Sequence, residues 1–412
     1  MALVATHKDE YPRLIFLKNA RLESKHFRRY RASILSQTKD KKGYKKYWKP
    51  IARYLKKRGI KKVYLSPDGV YNRINISTLY NTRTKKYAGE EMDILIMPTL
   101  RNLVNAKVFG YGGSKNQQIT LFGRPDYEAS VADLQKEEKA LKKGKNQVNN
   151  LNNIHSLPVL DEILEKSNKR SGWADLPGTE AEIKTVAQVL SKKNNLNVQM
   201  YLGNRALELA VKSVRHPKVL HIATHGFFVE NFKTTAKVEK KKISFDNSRK
   251  GNRKVKMTAQ LAKIAREEPM LRSGLVLAGA STYEKSFGKP DIEDGILTAY
   301  EAAQMDLQGT ELVVLSACET GLGEVENGEG VRGLQRAFMV AGANSLIFSL
   351  WKVDDRATKM LMGKFYEEWM GNGKTKRVAF RNAQHFMRNY EEGGKKIYSA
   401  PYYWGAFVMM GD

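Results

Sequence analysis

Short apolar runs that end in a reactive or polar side chain and then a glycine recur through the second half of this chain. Lys218-Val219-Leu220-His221-Ile222-Ala223-Thr224-His225-Gly226 is one, and Leu312-Val313-Val314-Leu315-Ser316-Ala317-Cys318, followed by Glu319-Thr320-Gly321-Leu322-Gly323, is another. Gly274–Ala278 and Ser345–Trp351 are further apolar runs that read as strands. Between them lie stretches with apolar residues at helical spacing, at 204–214, 297–303 and 334–341. Unbroken apolar runs are strands covered on both faces, and strands alternating with helices make an α/β fold. In open sheets of this kind, sites are built at the carboxyl edge of the strands. His225 and Cys318 both stand at such ends.

The first half follows the same grammar. Residues 43–58 predict an amphipathic helix with Tyr47, Ile51, Tyr54 and Leu55 on one side. Strands are predicted in Lys61–Gly69, which ends in a turn, and at Asp93–Pro98 and Gln118–Gly123. The chain is therefore read as two α/β parts, residues 10–130 and 173–412, joined by a polar connector over 131–172 rich in Lys, Glu and Asn. The second part opens on Leu176-Pro177-Gly178-Thr179, with Thr179 expected as a helix N-cap and Glu182 as its capping-box partner. The basic stretch 230–270 is too long for an ordinary connection.

The chain has a single cysteine, which excludes an internal disulfide and a multi-thiolate metal site. Cys318 is either a small core hydrophobe or a nucleophile. A nucleophilic thiol needs a base and an oxyanion hole. His225 is the candidate base, since it ends its run in the same manner. Gly226 offers a backbone N–H with no side chain in the way, and the N–H of Cys318 would be the second donor. His221, four residues earlier, is a partner beneath the site or a core residue. A zinc-peptidase reading of the His221/His225 pair fails for want of a glutamate next to the first histidine. The glycine loop at 328–333 lacks the Lys-Ser/Thr of a phosphate cradle and carries acids instead. Asp354 and Asp355 could line a pocket for a basic substrate side chain, or cap the helix that begins near Arg356.

Net charge is +28, from 71 Lys and Arg against 43 Asp and Glu. The cationic clusters, among them Lys41-Lys42, Lys45-Lys46, Lys56-Lys57-Arg58, Lys61-Lys62, Lys142-Lys143 and Lys240-Lys241-Lys242, are scattered along the chain and read as solvated faces. A basic scaffold or nucleic-acid-binding module is the alternative class, and a thiol amidase is another. No apolar run reaches the roughly 18 residues of a spanning helix. The N-terminus lacks a signal-peptide layout. With one cysteine, a reducing compartment, the cytoplasm, is the expectation.

At this point the motifs resemble a known family. VLHIATHG at 219–226 and LVVLSACETGLG at 312–323 look like the paired motifs of the CHAT domain, a caspase-like peptidase domain related to caspases and separases. LPGTEAEI at 176–183, SLWKVDD at 349–355 and YYWGAFVMMGD at 402–412 match as well, and SPDGVYNRIN at 66–75 resembles the domain's first half. The resemblance implies a caspase-hemoglobinase-like α/β/α sandwich with a mostly parallel sheet, in two caspase-like halves, of which 10–130 would be non-catalytic. It implies a cysteine endopeptidase working through His225 and Cys318, with Gly226 at the oxyanion hole and no metal or organic cofactor. It also implies bacterial defence or programmed cell death, gasdermin-type or CRISPR-associated protein substrates, and an activating partner or tetratricopeptide region. Nucleic acid is not expected as substrate, nor a membrane as partner.

Overall fold

The computed structural model describes residues 1–17, 25–100, 116–144, 172–193, 195–228, 269–282, 292–317, 324–326, 330–352 and 354–411. The strands used below, in chain order, are β1 (Ala2–Val4), β2 (Arg13–Ile15), β3 (Lys62–Leu65), β4 (Asp93–Ile96), β5 (Gln118–Pro125), β6 (Asn197–Gly203) and β7 (Val219–Thr224). They continue with β8 (Gly226–Phe228), β9 (Ser273–Val276), β10 (Ile296–Thr298), β11 (Leu312–Ala317), β12 (Ser345–Ser349) and β13 (Phe407–Gly411). The helices used below are α1 (Phe27–Leu35), α2 (Lys49–Lys57), α3 (Val131–Gly144), α4 (Pro177–Leu190), α5 (Glu208–Lys212), α6 (Ala299–Ala302), α7 (Leu334–Val340), α8 (Asp355–Tyr366) and α9 (Lys376–Asn389).

Eight strands form one mixed sheet in the order β3-β4-β13-β12-β11-β7-β5-β6. Every neighbouring pair is parallel except β12–β13. The expected mostly parallel α/β sheet is therefore present. Every residue of β7, β11 and β12 is buried, which requires cover on both faces and explains their continuous apolar composition. α4 packs against α8, and α8 against α9, while α7 packs on β12. One hydrophobic cluster runs from Phe27 to Met410 and includes Trp48, Trp351, Phe365 and Tyr366.

Strands from early and late sequence share this sheet. β5, which precedes residue 131, pairs with β6 and β7. The segment expected to be a helix over 43–58 is a π-helical turn, Tyr44–Trp48, leading into α2. Part of the polar connector is the helix α3. The stretch at 230–270 lies almost entirely outside the described residues. The N-cap expectation at Thr179 is corrected: α4 begins at Pro177, whose fixed φ suits the first helical position. Thr179 instead donates to the Leu176 carbonyl at 2.8 Å and accepts from the Arg124 N–H at 2.8 Å.

Candidate active site

β5, β6, β7, β11 and β12 run the same way, so their carboxyl ends share one edge. β7 and β11 pair in register from Leu312 opposite Val219 to Ala317 opposite Thr224. His225 follows Thr224 in the chain and Cys318 follows Ala317. Cys318 itself lies outside the described residues. The Ser349 hydroxyl donates to the Ala317 carbonyl and so fastens the end of β12 to that of β11.

His225 leaves the large sheet and enters a small antiparallel one, β8-β9-β10. Its carbonyl accepts from Val276 N–H at 2.9 Å, while Gly226 stands opposite Leu275. Bonded and non-bonded pairs alternate in an antiparallel ladder. Gly226 and Leu275 are thus a non-bonded pair, and the Gly226 N–H is directed away from β9. The Thr224 hydroxyl, buried, donates to the Val276 carbonyl, which leaves Tyr127 OH to donate to Thr224 Oγ1 at 3.0 Å.

The imidazole of His225 sits beside two rings. Tyr127 lies 5.2 Å away between centroids and Trp173 5.4 Å away, both tilted by about 40°. The Nε2 atom is 2.8 Å from the Ala174 carbonyl oxygen. A carbonyl only accepts, so Nε2 carries the proton there, and a neutral ring has its lone pair on Nδ1. Tyr127 belongs to a small satellite cluster with Val276, Ala280 and Ile296, on which Trp173 and Phe227 pack. The histidine is thereby held by elements from four parts of the sequence.

Beneath this edge runs a buried chain of four side chains. Tyr366 OH lies 3.2 Å from His221 Nδ1, and His221 Nε2 lies 3.1 Å from Glu182 Oε1. Ser316 Oγ donates to Glu182 Oε2 at 2.9 Å. Burial, with the Glu182 charge second, pushes the Tyr366 hydroxyl well above its usual range, so it keeps its proton and donates to His221. His221 is thus a partner under the site, joined to Ser316 two residues before Cys318. A small cavity of about 50 Å³ opens between Glu182, Ser316, Ala317, Thr224, Ser349 and Asp355.

The outer cleft is larger, about 560 Å³, and includes Tyr127, Trp173, Asp126, Glu128, Asp175 and Glu180. Arg124 crosses it, bonding to Asp175 through Nε at 2.9 Å and Nη2 at 2.8 Å, and to Glu180 at 2.8 Å. These bonds, Asp175 first, raise the Arg124 pKa further; they lower that of Asp175, and with Lys184 foremost that of Glu180. Arg124 has φ of 39° at a bulge in β5, immediately before Pro125. Such a conformation costs on the order of 1–3 kcal/mol, and its three carboxylate bonds hold it.

Of the two acids read as pocket or cap, Asp354 caps α8, accepting from Ala357 N–H at 2.9 Å. Asp355 packs against Gly178, where any side chain would overlap its carboxylate. A separate cavity of about 580 Å³ is lined by Tyr87, Asp93, Arg377, Phe380, Arg388 and Trp404 and includes none of His225, Tyr127 or Trp173. Among the described residues no group of His, Cys, Asp and Glu is placed to hold a metal ion. No described helix is long and apolar enough to cross a membrane.

A family model described as the CHAT domain matches residues 41–412. Tetratricopeptide repeat protein 28 of Homo sapiens is 26% identical over 241 residues, which is 58% of this chain and 9% of that protein. Its Mus musculus counterpart is 25% identical over the same length, with the same coverage. The chain thus matches under a tenth of the length of these curated relatives. Since the family match spans most of its residues, the chain belongs to the CHAT-domain family, a caspase-like, protease-related group.

Proposed function

We propose that this chain is a cysteine endopeptidase with a His225–Cys318 dyad. The observation that carries the reading is the in-register pairing of β7 with β11, which ends at Thr224 and Ala317, one residue before each dyad member. In this reading His225 takes the thiol proton at Nδ1, and the thiolate attacks the peptide carbonyl. The tetrahedral oxyanion is bound by the N–H groups of Gly226 and Cys318, and the alternation of the β8–β9 ladder supports the first of these. As the C–N bond breaks, His225 returns the proton to the leaving amine and a thioester forms. Water, deprotonated by His225, then releases the acid and the thiol.

The acids around the outer cleft favour a substrate with basic or neutral residues beside the scissile bond. Asp126, Glu128, Asp175 and Glu180 line this cleft with Arg124, which Asp175 and Glu180 hold, and Glu180 also pairs with Lys184 at 2.6 Å. Asp354 caps α8 while Asp355 lines the small cavity beside Ala317, and the outer cleft adds further carboxylates to a pocket for a basic side chain. The relatives' name suggests delivery of the substrate by a tetratricopeptide-type region or partner. A role in bacterial defence or cell death, with gasdermin-type or CRISPR-associated substrates, follows from family resemblance alone.

The test is a peptide-library digest with the intact chain, Cys318→Ala and His225→Ala. Each substitution should lower cleavage by roughly 10³-fold or more while the circular dichroism spectrum stays unchanged. A peptidyl thiol-directed probe should label the parent chain once. Cleavage retained by Cys318→Ala sinks the dyad. Turnover of small amides without peptide cleavage would favour the thiol amidase, and strict cleavage after aspartate would refute the substrate preference.

A further inference from the structure

Residues 25–62 hold sixteen Lys and Arg and one acid, Asp40, so this segment supplies a net +15 of the chain's +28. The fold gathers much of this charge on one face. Tyr47, Trp48, Ile51, Ala52 and Leu55 fill the core from the π turn and α2. Lys45, Lys49, Arg53 and Lys57 are left exposed outside, each four residues from the next. Side chains at that spacing are neighbours, and four cations in series repel one another. Packing of the inner face, not this outer stripe, holds the helix in place. Lys41 and Lys42 precede the stripe, and Lys61 and Lys62 follow it onto β3, all exposed.

The face is mostly unneutralised. Lys56 pairs with Glu91 at 2.8 Å and Arg58 with Asp9 at 2.8 Å. Among the described residues no carboxylate pairs with Lys41, Lys42, Lys45, Lys49, Arg53, Lys57, Lys61 or Lys62. The local potential is felt by His26, whose pKa is lowered by burial and then by Lys46, Arg29 and Lys25. Aromatic surface accompanies the charge. Tyr64 is 37% exposed on β3, an edge strand of the sheet. The β1–β2 hairpin, tied to the end of α2 by Asp9 and by a 2.8 Å bond from Lys8 Nζ to the Arg58 carbonyl, carries Tyr11 and Phe16 at 73% and 66% exposure.

From this surface we infer a docking site for the phosphodiester backbone of single-stranded nucleic acid on the outer face of α2, with Tyr11, Phe16 and Tyr64 as stacking platforms. A linear polyanion fits an extended single-sign stripe, and aromatic rings beside such a stripe suit unpaired bases. The apolar face of α2 is spent in the core, so a bilayer would hold this surface only through its headgroup charge. The site is remote from the dyad edge: β3 lies five strands from β7, roughly 24 Å at about 4.8 Å per strand. The acidic outer cleft beside His225 repels the same ligand, so the two surfaces sort partners by charge. This inference is independent of the peptidase reading, and its assay needs no proteolysis.

The test is fluorescence anisotropy with the full chain and labelled single-stranded RNA and DNA oligonucleotides, the matching duplex, polyglutamate and phosphatidylserine vesicles as probes. Single strands should bind most tightly. About five neutralised phosphates give a slope of log affinity on log salt of about −3.5, from roughly −0.7 per contact. The triple variant Lys49→Glu/Arg53→Glu/Lys57→Glu should lose at least tenfold in affinity. A control with the same charge change on α3, Lys136→Glu/Lys139→Glu/Lys143→Glu, should stay within about threefold, both variants being checked by circular dichroism. Equal losses in the two variants would reduce the effect to net charge and overturn the site. So would tighter binding of the duplex, polyglutamate or vesicles, or no oligonucleotide binding at all. RNA against DNA preference identifies the strand without bearing on the shared phosphodiester chemistry.

Discussion

Glu182→Ala tests whether the side chains beneath the carboxyl edge of β7 and β11 act as one unit. Glu182 is 2% exposed and accepts from His221 and Ser316, themselves 0% and 7% exposed. Removing the carboxylate strands two buried donors. Each costs about 1–3 kcal/mol if left unsatisfied. The space vacated joins the adjoining cavity of about 50 Å³, where water can enter and satisfy one of them. The expected loss is therefore near the lower middle of the range, about 3 kcal/mol, or roughly a hundredfold in opening equilibrium. Glu182→Gln keeps the shape and one acceptor and should cost about 1 kcal/mol. Native-state hydrogen exchange read on β7 and β11 reports the opening directly. In a cycle with Ser316→Ala, the second change should cost less in the Glu182→Ala background, with coupling of about 1.5 kcal/mol. A change in exchange below about fivefold for Glu182→Ala, or additivity within about 0.5 kcal/mol, would refute the unit.

Two further expectations concern charge. Lys212 is buried between Glu208 at 2.9 Å, Glu293 at 3.1 Å and Glu301 at 3.1 Å, joining α5 to α6 and the β10 approach; Lys212→Met should cost about 3–5 kcal/mol by leaving buried carboxylates unpaired. Burial pushes all three carboxyls up while Lys212 pulls them back, and those carboxylates outweigh burial to raise Lys212 itself. Raised carboxyls hold protons that the unfolded chain has released, so this cluster loses stability as pH rises above the usual carboxylate value of 4.5, whereas the lysine's contribution persists through neutrality. Thermal midpoints at about pH 5 and about pH 8 should fall with pH more steeply in Lys212→Met than in the parent, and a shallower fall would contradict the account. Asp175 shows the opposite sign: its lowered pKa gives stability above the usual value of 3.8 that is lost as pH falls through the folded value. Asp175→Asn should flatten the acid arm of the same profile, and an unchanged arm would refute the cleft's ion pairing.

The strands were legible because burial on both faces leaves a continuous apolar run, as in Val219–Thr224 and Leu312–Ala317, both buried throughout. What was not legible is pairing across distance. Tyr127 and Trp173 reach His225 from about 100 and about 50 residues upstream, and no local period encodes that. Glu182 is a buried acceptor for His221 and Ser316 rather than a capping partner, and the sequence carries the signal. It stands four residues before Val186 and next to Ile183, on the apolar side of α4, where a mere capping partner of Thr179 would not be buried. An acid on the core face of a helix calls for a buried donor, and His221 was the polar residue of an otherwise apolar strand. Asp354, whose capping role needs only the three residues after it, was open to sequence reasoning.

Charge shows the same division between local and distant information. The cationic clusters look scattered when read as adjacent pairs, Lys45-Lys46 or Lys56-Lys57, and adjacent residues on a helix point apart. Read at four-residue spacing, Lys45, Lys49, Arg53 and Lys57 fall in one row, and the apolar set Tyr47, Ile51 and Leu55 occupies the other side. The row was therefore available from the sequence once the helix was granted. Its isolation from carboxylates was not, because Asp9 and Glu91, which take Arg58 and Lys56, come from segments 49 and 35 residues away. Only the folded chain shows which cations those acids neutralise and which they leave facing solvent, and that remainder gives the outer face of α2 its claim on a polyanion.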